Sequence, residues 1–329
     1  MLTPDVARTM SDYEAYLNAG WARLLRMMGL EEVEWRAEGC LVYDSQGRDY
    51  LDCLGGYGVF NVGHRHPRVM EAFLEQFHRQ PLSARTLFAP AYAELGRRLA
   101  EITPGDLKYT FVCHSGAEAV EGALKLARMA TRKPRIIATE GAFHGKTMGA
   151  LSASGRDLFK DPVKPLVPGF VHVPFGDLEA MERAIDDQTA AVIVEPIQGE
   201  NGVIIPPDGY LAGLRRLCDE RGVLLIFDEV QTGLGRTGAM FAAEHENVAP
   251  DIMTLSKALG GGVSALGAFV GNEKAWAPFQ ENPFLHTTSV VDLAACAAGC
   301  AVIDVLQEER LPQRAKETGE VLMAELRKL

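Results

Sequence analysis

The 329-residue sequence predicts an α/β protein: a mainly parallel seven-stranded sheet flanked by helices, with a smaller α+β subdomain. Three observations support this. From about residue 105, seven short β-rich runs alternate with stretches of helical periodicity. Several of those runs are apolar nearly throughout, as strands must be when both faces of their sheet are covered. The first sixty residues have a different character and set the subdomain apart.

Taken in order, the chain opens with an amphipathic helix around Asp12 to Met28. Val33 to Asp52 then reads as a hairpin turning at Asp44-Ser45-Gln46-Gly47. The seven sheet runs are Lys108 to His114, Arg135 to Glu140, Phe170 to Phe175, Ala190 to Pro196, Val223 to Val230, Asp251 to Ser256 and Leu266 to Gly271. Helical stretches lie between them at Ala117 to Met129, Leu178 to Ile185 and Leu211 to Arg221, the last stopped by Gly222. Leu293 to Leu329 reads as helix with a break at Pro312, ending on the amphipathic run from Lys316. The expected division is 1–65 for the N-terminal part of the small subdomain, 66–300 for the large α/β domain, and 301–329 for a linker helix. Ligands of such a sheet bind at the carboxyl ends of its strands.

Composition narrows the function. With 47% hydrophobic and 23% charged residues the chain has the profile of a globular enzyme. Its net charge of -11 and lack of any basic run argue against a nucleic-acid partner. Met1 to Gly20 carries Asp5, Asp12 and Glu14 and no apolar core, so no signal peptide is expected, and no later stretch approaches the length of a membrane span. A cytoplasmic location is the expectation. The six cysteines, Cys40, Cys53, Cys113, Cys218, Cys296 and Cys300, are scattered and read as reduced core residues. Cys296 and Cys300 lack a companion His or carboxylate set, so no metal is expected.

The chemistry centres on Lys257, in Ser256-Lys257-Ala258-Leu259-Gly260-Gly261-Gly262, and on Asp228-Glu229-Val230-Gln231, which ends the apolar run from Val223. A lysine can form a Schiff base with the aldehyde of pyridoxal phosphate, and a carboxylate can keep the pyridine nitrogen protonated. Ser115-Gly116-Ala117-Glu118 follows a strand and opens a helix with capping-box spacing, leaving free amides that can cradle a phosphate. Phe143-His144-Gly145 offers a ring to stack on the cofactor, and Glu195, in Glu195-Pro196-Ile197-Gln198-Gly199-Glu200, puts a carboxylate at the sheet edge. Gly233-Leu234-Gly235-Arg236-Thr237-Gly238 matches a dinucleotide fingerprint, but no strand leads straight into it and no clear helix follows. It reads as a flexible turn shaping the pocket wall.

Together, in this order, these motifs resemble the class III (subgroup II) pyridoxal-phosphate-dependent aminotransferases with the type I fold, over roughly Asp44 to the end. Gly56 to His64, Pro168 to Gly176 and Asn282 to Thr288 look most like the diamine (putrescine) members. The resemblance implies that Lys257 carries the cofactor and Asp228 pairs with the pyridine nitrogen. It further implies that Gln231 reaches the ring 3-oxygen, Val230 and Phe143 sandwich the ring with His144 beside them, and Ser115, Gly116 and Ala117 bind the phosphate. Glu195 would help sort amine from acidic substrates, and Thr288 would complete the phosphate site of a neighbouring subunit, which makes a homodimer or higher oligomer the expectation. The implied reaction moves the terminal amino group of putrescine or cadaverine to a 2-oxo acid. The alternatives are another ω-transaminase, acting on 4-aminobutyrate, ornithine or acetylornithine, or a catalytically impaired cofactor-binding fragment. Two departures from the family pattern stand out. Ser289-Val290-Val291-Asp292-Leu293 replaces an aromatic, two glycines, Asn and Pro, and the family's arginine for 2-oxoglutarate belongs to a region beyond Leu329.

Overall fold

Seven of the apolar runs form one sheet. The protein is described by a computed structural model over residues 5–284 and 286–329, so Met1–Pro4 of the N-terminal stretch and Leu285 of the Asn282–Thr288 motif lie outside the described residues. The strands in chain order are β1 Glu34–Glu38, β2 Leu41–Asp44, β3 Asp49–Leu51, β4 Leu82–Ser83, β5 Tyr109–Cys113, β6 Arg135–Thr139, β7 Phe170–Val173, β8 Thr189–Val194, β9 Leu224–Asp228, β10 Ile252–Leu255, β11 Gly267–Gly271 and β12 Val291–Asp292. The large sheet has the order β5-β11-β10-β9-β8-β6-β7. Only β11 runs against its neighbours; the other pairings are parallel. Strands β8, β9 and β10 are buried at every residue, which is why they carry Val, Ile, Leu and Ala without alternation. All seven coincide with the runs expected from sequence.

Helix Gly116–Thr131 covers one face through Ala119, Ala123, Leu126 and Ala127, packed against β-strand residues such as Ile226 and Phe269. Tyr210–Arg221 contributes Tyr210, Leu214 and Cys218 to a second cluster on β6, β8 and β9, and ends at Gly222 in the left-handed conformation that caps helices without steric cost. A third cluster joins helix Leu293–Glu308 to Val69, Leu95 and Leu99 of the helices Pro67–Arg79 and Pro90–Ile102. That helix runs uninterrupted across residue 300, where sequence analysis placed a domain boundary.

Several local expectations change. The N-terminal hairpin is a three-stranded antiparallel meander, β1-β2-β3, with a second tight turn at Gly39-Cys40. The first helix is interrupted by a π-helical stretch, Tyr13–Asn18. The final helical break falls at Arg310, whose φ is +53°, and Pro312 sits in the first turn of helix Leu311–Leu326, where its missing N–H costs nothing. Cys40 and Cys53 are exposed rather than in the core, because the small sheet has no cover on that side; the other four cysteines are buried. Within Gly233 to Gly238, Arg236 is close enough for its charge to act on Lys257. Gly235 packs on Leu306 and Pro312, and Gly238 on Lys316, so the segment is a turn seated against the last two helices. No helix among the described residues is long and apolar enough to cross a membrane.

Candidate active site

Five strands deliver their functional residues to one edge. Ser115 follows β5, Phe143 and His144 follow β6, Glu195 follows β8, Asp228 ends β9, and Lys257 lies two residues beyond β10. Asp228 and Thr254 are register partners on β9 and β10, which fixes how close Lys257 comes to Asp228. Phe143, His144, Glu195, Asp228 and Lys257, with Gly116, Ala117, Val230, Gln231, Lys146 and Glu200, line a cavity of about 310 Å³, the size of a small-ligand site, and Ser115 stands just outside that lining. A larger hollow of about 770 Å³ lies behind it, between helix Gly116–Thr131 and His286-Thr287. None of the strand-end chemistry reaches it.

Lys257 begins a short 3-10 turn with φ +45°, a left-handed conformation uncommon outside glycine. Burial lowers its pKa, opposed by the charges of Asp228 and Glu195. Among the described residues its amine has no ion-pair partner, and it lines the cavity with its basicity lowered by burial.

Asp228 is buried and held on three sides. The Val230 N–H and the Thr254 hydroxyl donate to Oδ1, each at 3.1 Å, and His144 Nδ1 lies 2.7 Å from Oδ2. Burial alone would depress the basicity of His144, but the bond to Asp228 and its charge raise it above the ordinary value. His144 Nε2 is buried without a partner. His144, expected from sequence at the cofactor, lines the cavity and is bonded to the Asp228 carboxylate. A lone Phe-His-Gly motif carries no signal of a partner 84 residues away.

Ser115 caps helix Gly116–Thr131, its hydroxyl accepting from the Glu118 N–H at 3.2 Å, while Glu118 accepts from the His114 N–H at 2.7 Å. The first amides of a sixteen-residue helix are thus presented at the cavity. A Cβ at Gly116 would lie 3.0 Å from Val230 Cγ1, filling the space beside them. Gln231 lines the same wall; its amide donates to the Tyr57 carbonyl at 2.9 Å, and a Cβ at Gly199 would fall 1.4 Å from its Oε1, so a larger residue there would displace the Gln231 side chain. Phe143 meets Phe159 edge-on, centroids 6.0 Å apart.

Glu195 is buried, and its two oxygens accept from the Phe143 N–H at 2.9 Å and the Gly199 N–H at 3.2 Å. It ties two pocket loops together while lining the cavity. The carboxylate presented at the rim is Glu200, which was not singled out from sequence; Arg156 lies 3.8 Å from it. Thr288 does not line this cavity within its own chain.

Burial pushes both Glu195 and the neighbouring Glu229 up to about 7. A carboxyl whose folded pKa exceeds its ordinary 4.5 binds more protons folded than unfolded between those values, so stability falls as pH rises through that window. Glu229 accepts from the Ala242 and Ala243 amides and the Thr232 hydroxyl and touches no reacting group. In Glu229→Gln the melting temperature should fall less steeply from about 4.5 to about 7, which a thermal-melt series in the absence of cofactor reads directly. An unchanged slope would mean that Glu229 ionises normally.

A buried lysine without an ion-pair partner among the described residues, a carboxylate braced by a buried imidazole, a helix start opened by glycine and an aromatic ring on the wall fit pyridoxal phosphate. The family described as Aminotransferase class-III matches residues 30–329. An ornithine aminotransferase from Toxoplasma gondii superposes with a TM-score of 0.91 at 32% identity, over 99% of this chain and 76% of its own. An (S)-enantioselective omega-transaminase from Thermomicrobium roseum gives 0.91 and 32% over 99% and 80%. The taurine:2-oxoglutarate aminotransferase from Bifidobacterium kashiwanohense, in complex with PLP and glutamate, gives 0.92 and 29% over 100% and 79%. The chain belongs to the class III aminotransferases, enzymes that work with pyridoxal phosphate.

Proposed function

We propose that this enzyme moves the terminal amino group of a diamine such as putrescine or cadaverine to a 2-oxo acid, in the cytoplasm, as a homodimer or larger homo-oligomer with shared sites. Residues 66–300 would form the large cofactor-binding domain, 1–65 the N-terminal part of the small subdomain and 301–329 a linker helix, although helix Leu293–Glu308 spans the junction at 300.

When bound, pyridoxal phosphate supplies an electron sink for the carbon that loses its proton. Lys257 Nζ is the base, taking that proton and later returning one, and burial shifts its basicity in the direction that role needs. Asp228 holds positive charge at the pyridine nitrogen, and His144 is a positioning residue that keeps Asp228 aimed there. The amides of Ser115, Gly116 and Ala117 would hold the phosphate, Phe143 and Val230 would flank the ring, and Gln231 would serve its 3-oxygen.

The diamine reading rests on one observation: Glu200 stands at the cavity rim, close enough for its charge to act on Lys257. A donor with a second ammonium finds a partner there, and one ending in a carboxylate is repelled. Glu200→Gln should therefore lower kcat/KM for putrescine roughly tenfold, the scale of one ion pair at a partly wet rim, and leave 4-aminobutyrate unchanged or improved. Equal losses across both donors would remove Glu200 from the selection.

A second reading has its own support. Lys146 Nζ lies 4.8 Å from the Phe159 ring and 5.8 Å from that of Phe143, at the same cavity, with no carboxylate paired to it among the described residues. That cation suits an amino-acid donor such as ornithine or acetylornithine, and structural relatives carry those names. A donor panel across diamines, ornithine, acetylornithine and 4-aminobutyrate decides between them. Cofactor binding with negligible turnover of every donor would instead favour the impaired cofactor-binding reading.

A further inference from the structure

The segment that departs from the family pattern after Thr288 is pinned to the body of its own chain by one side chain, Arg85. In the loop after β4, its Nη2 donates to the Thr288 carbonyl and its Nε donates to the Ser289 carbonyl at 3.1 Å. The guanidinium lies 4.8 Å over the ring of Phe111, on the strand that leads into Ser115. His286 stacks on the same ring, centroids 5.8 Å apart and 16° from parallel. Pairing of β4 with β12, Ser83 opposite Val291, anchors the far end.

Three features give this clamp a purpose. Arg85 has no carboxylate partner among the described residues, so its fork is committed to two successive carbonyls and an aromatic face, a task for which lysine lacks the geometry. Its backbone holds φ +58°, and its N–H donates to Ser83 Oγ at 3.0 Å, so the loop is bent to deliver it. Finally, Arg85 holds the Thr288 and Ser289 carbonyls and lies beside the Tyr92 hydroxyl, and among the described residues it makes no hydrogen bond to the Thr288 hydroxyl.

We infer that Arg85 is a positioning residue that presents the Thr288 hydroxyl to the cofactor phosphate of a neighbouring subunit, in place of the glycines and proline this chain lacks. The inference rests on the reading that Thr288 completes that site. A donor held in place before binding costs the ligand no ordering entropy, so loss of the clamp is felt as affinity.

The test is an absorbance titration of the cofactor-free protein with pyridoxal phosphate, alongside thermal melts, for Arg85→Met, Arg85→Lys, Thr288→Val and the double variant Arg85→Met/Thr288→Val. Thr288→Val and Arg85→Met should each weaken binding roughly tenfold, the loss of one hydrogen bond to a charged group. The double variant should be weaker than Thr288→Val alone by less than about twofold, because residues acting through one contact are not additive. Arg85→Lys should recover part of the affinity. Additive losses in the double variant, or an unchanged affinity in both Arg85 variants while Thr288→Val is weakened, would overturn the clamp and leave the shared site standing. An unchanged affinity in Thr288→Val would overturn the shared site and the clamp with it.

Discussion

Lys257→Ala should bind pyridoxal phosphate without any borohydride-reducible bond to protein and should lose at least about 10⁴-fold in transamination rate, the scale associated with removing a positioned base. The reasoning is local. The lysine is presented by a turn held at φ +45°, its amine is buried without an ion-pair partner among the described residues, and it follows the strand that pairs with the one bearing Asp228. The side chain contributes little packing, so the melting temperature without cofactor should hold or rise, since a desolvated amine is removed. Peptide mapping after reduction of the unaltered enzyme supplies the check. Label on a different lysine would refute the assignment.

Asp228→Asn should keep the fold and the cofactor yet lose on the order of 10³ in rate, as when one electrostatic partner of a developing charge is removed. Asparagine retains an oxygen for the Val230 amide and the Thr254 hydroxyl, so the loop geometry survives. What disappears is the negative charge, and with it the reason His144 is held above its ordinary pKa despite complete burial. Without that charge burial alone acts on the imidazole and lowers its basicity, and the pyridine nitrogen would lose its counter-charge. Rates of single half-reactions, with bound cofactor measured separately, distinguish this electronic loss from weaker binding. Near-normal turnover would show that the carboxylate is structural.

The sheet was legible because burial on both faces writes a signature that needs no long-range information: seven apolar runs, each short, each followed by polar or glycine-rich residues. The ordered motifs placed Lys257, Asp228, Ser115, Phe143 and Glu195 at one edge for the same reason, since each directly follows or ends a strand. What stayed hidden depends on contacts between distant segments. Glu195 reads as an exposed catalytic carboxylate until its two oxygens are found on the amides of Phe143 and Gly199. Glu200, five residues on, is then the group at the rim. His144 and Asp228 are 84 residues apart, and Arg85 is about 200 from the carbonyls it holds; no periodicity or spacing rule reports such pairs. The dinucleotide-like glycines illustrate the converse, a local pattern whose packing against Leu306, Pro312 and Lys316 accounts for it without a ligand.

The most direct measurement is a two-stage absorbance experiment on the protein loaded with pyridoxal phosphate. Addition of putrescine should convert the absorbance of the lysine-bound cofactor to that of its aminated form, in proportion to enzyme, with the aldehyde released. Addition of 2-oxoglutarate or pyruvate to the desalted product should restore the original spectrum. Both halves are required of an aminotransferase that uses Lys257 as carrier and base. A loaded protein whose spectrum responds to no amine, or whose change no 2-oxo acid reverses, would contradict the account.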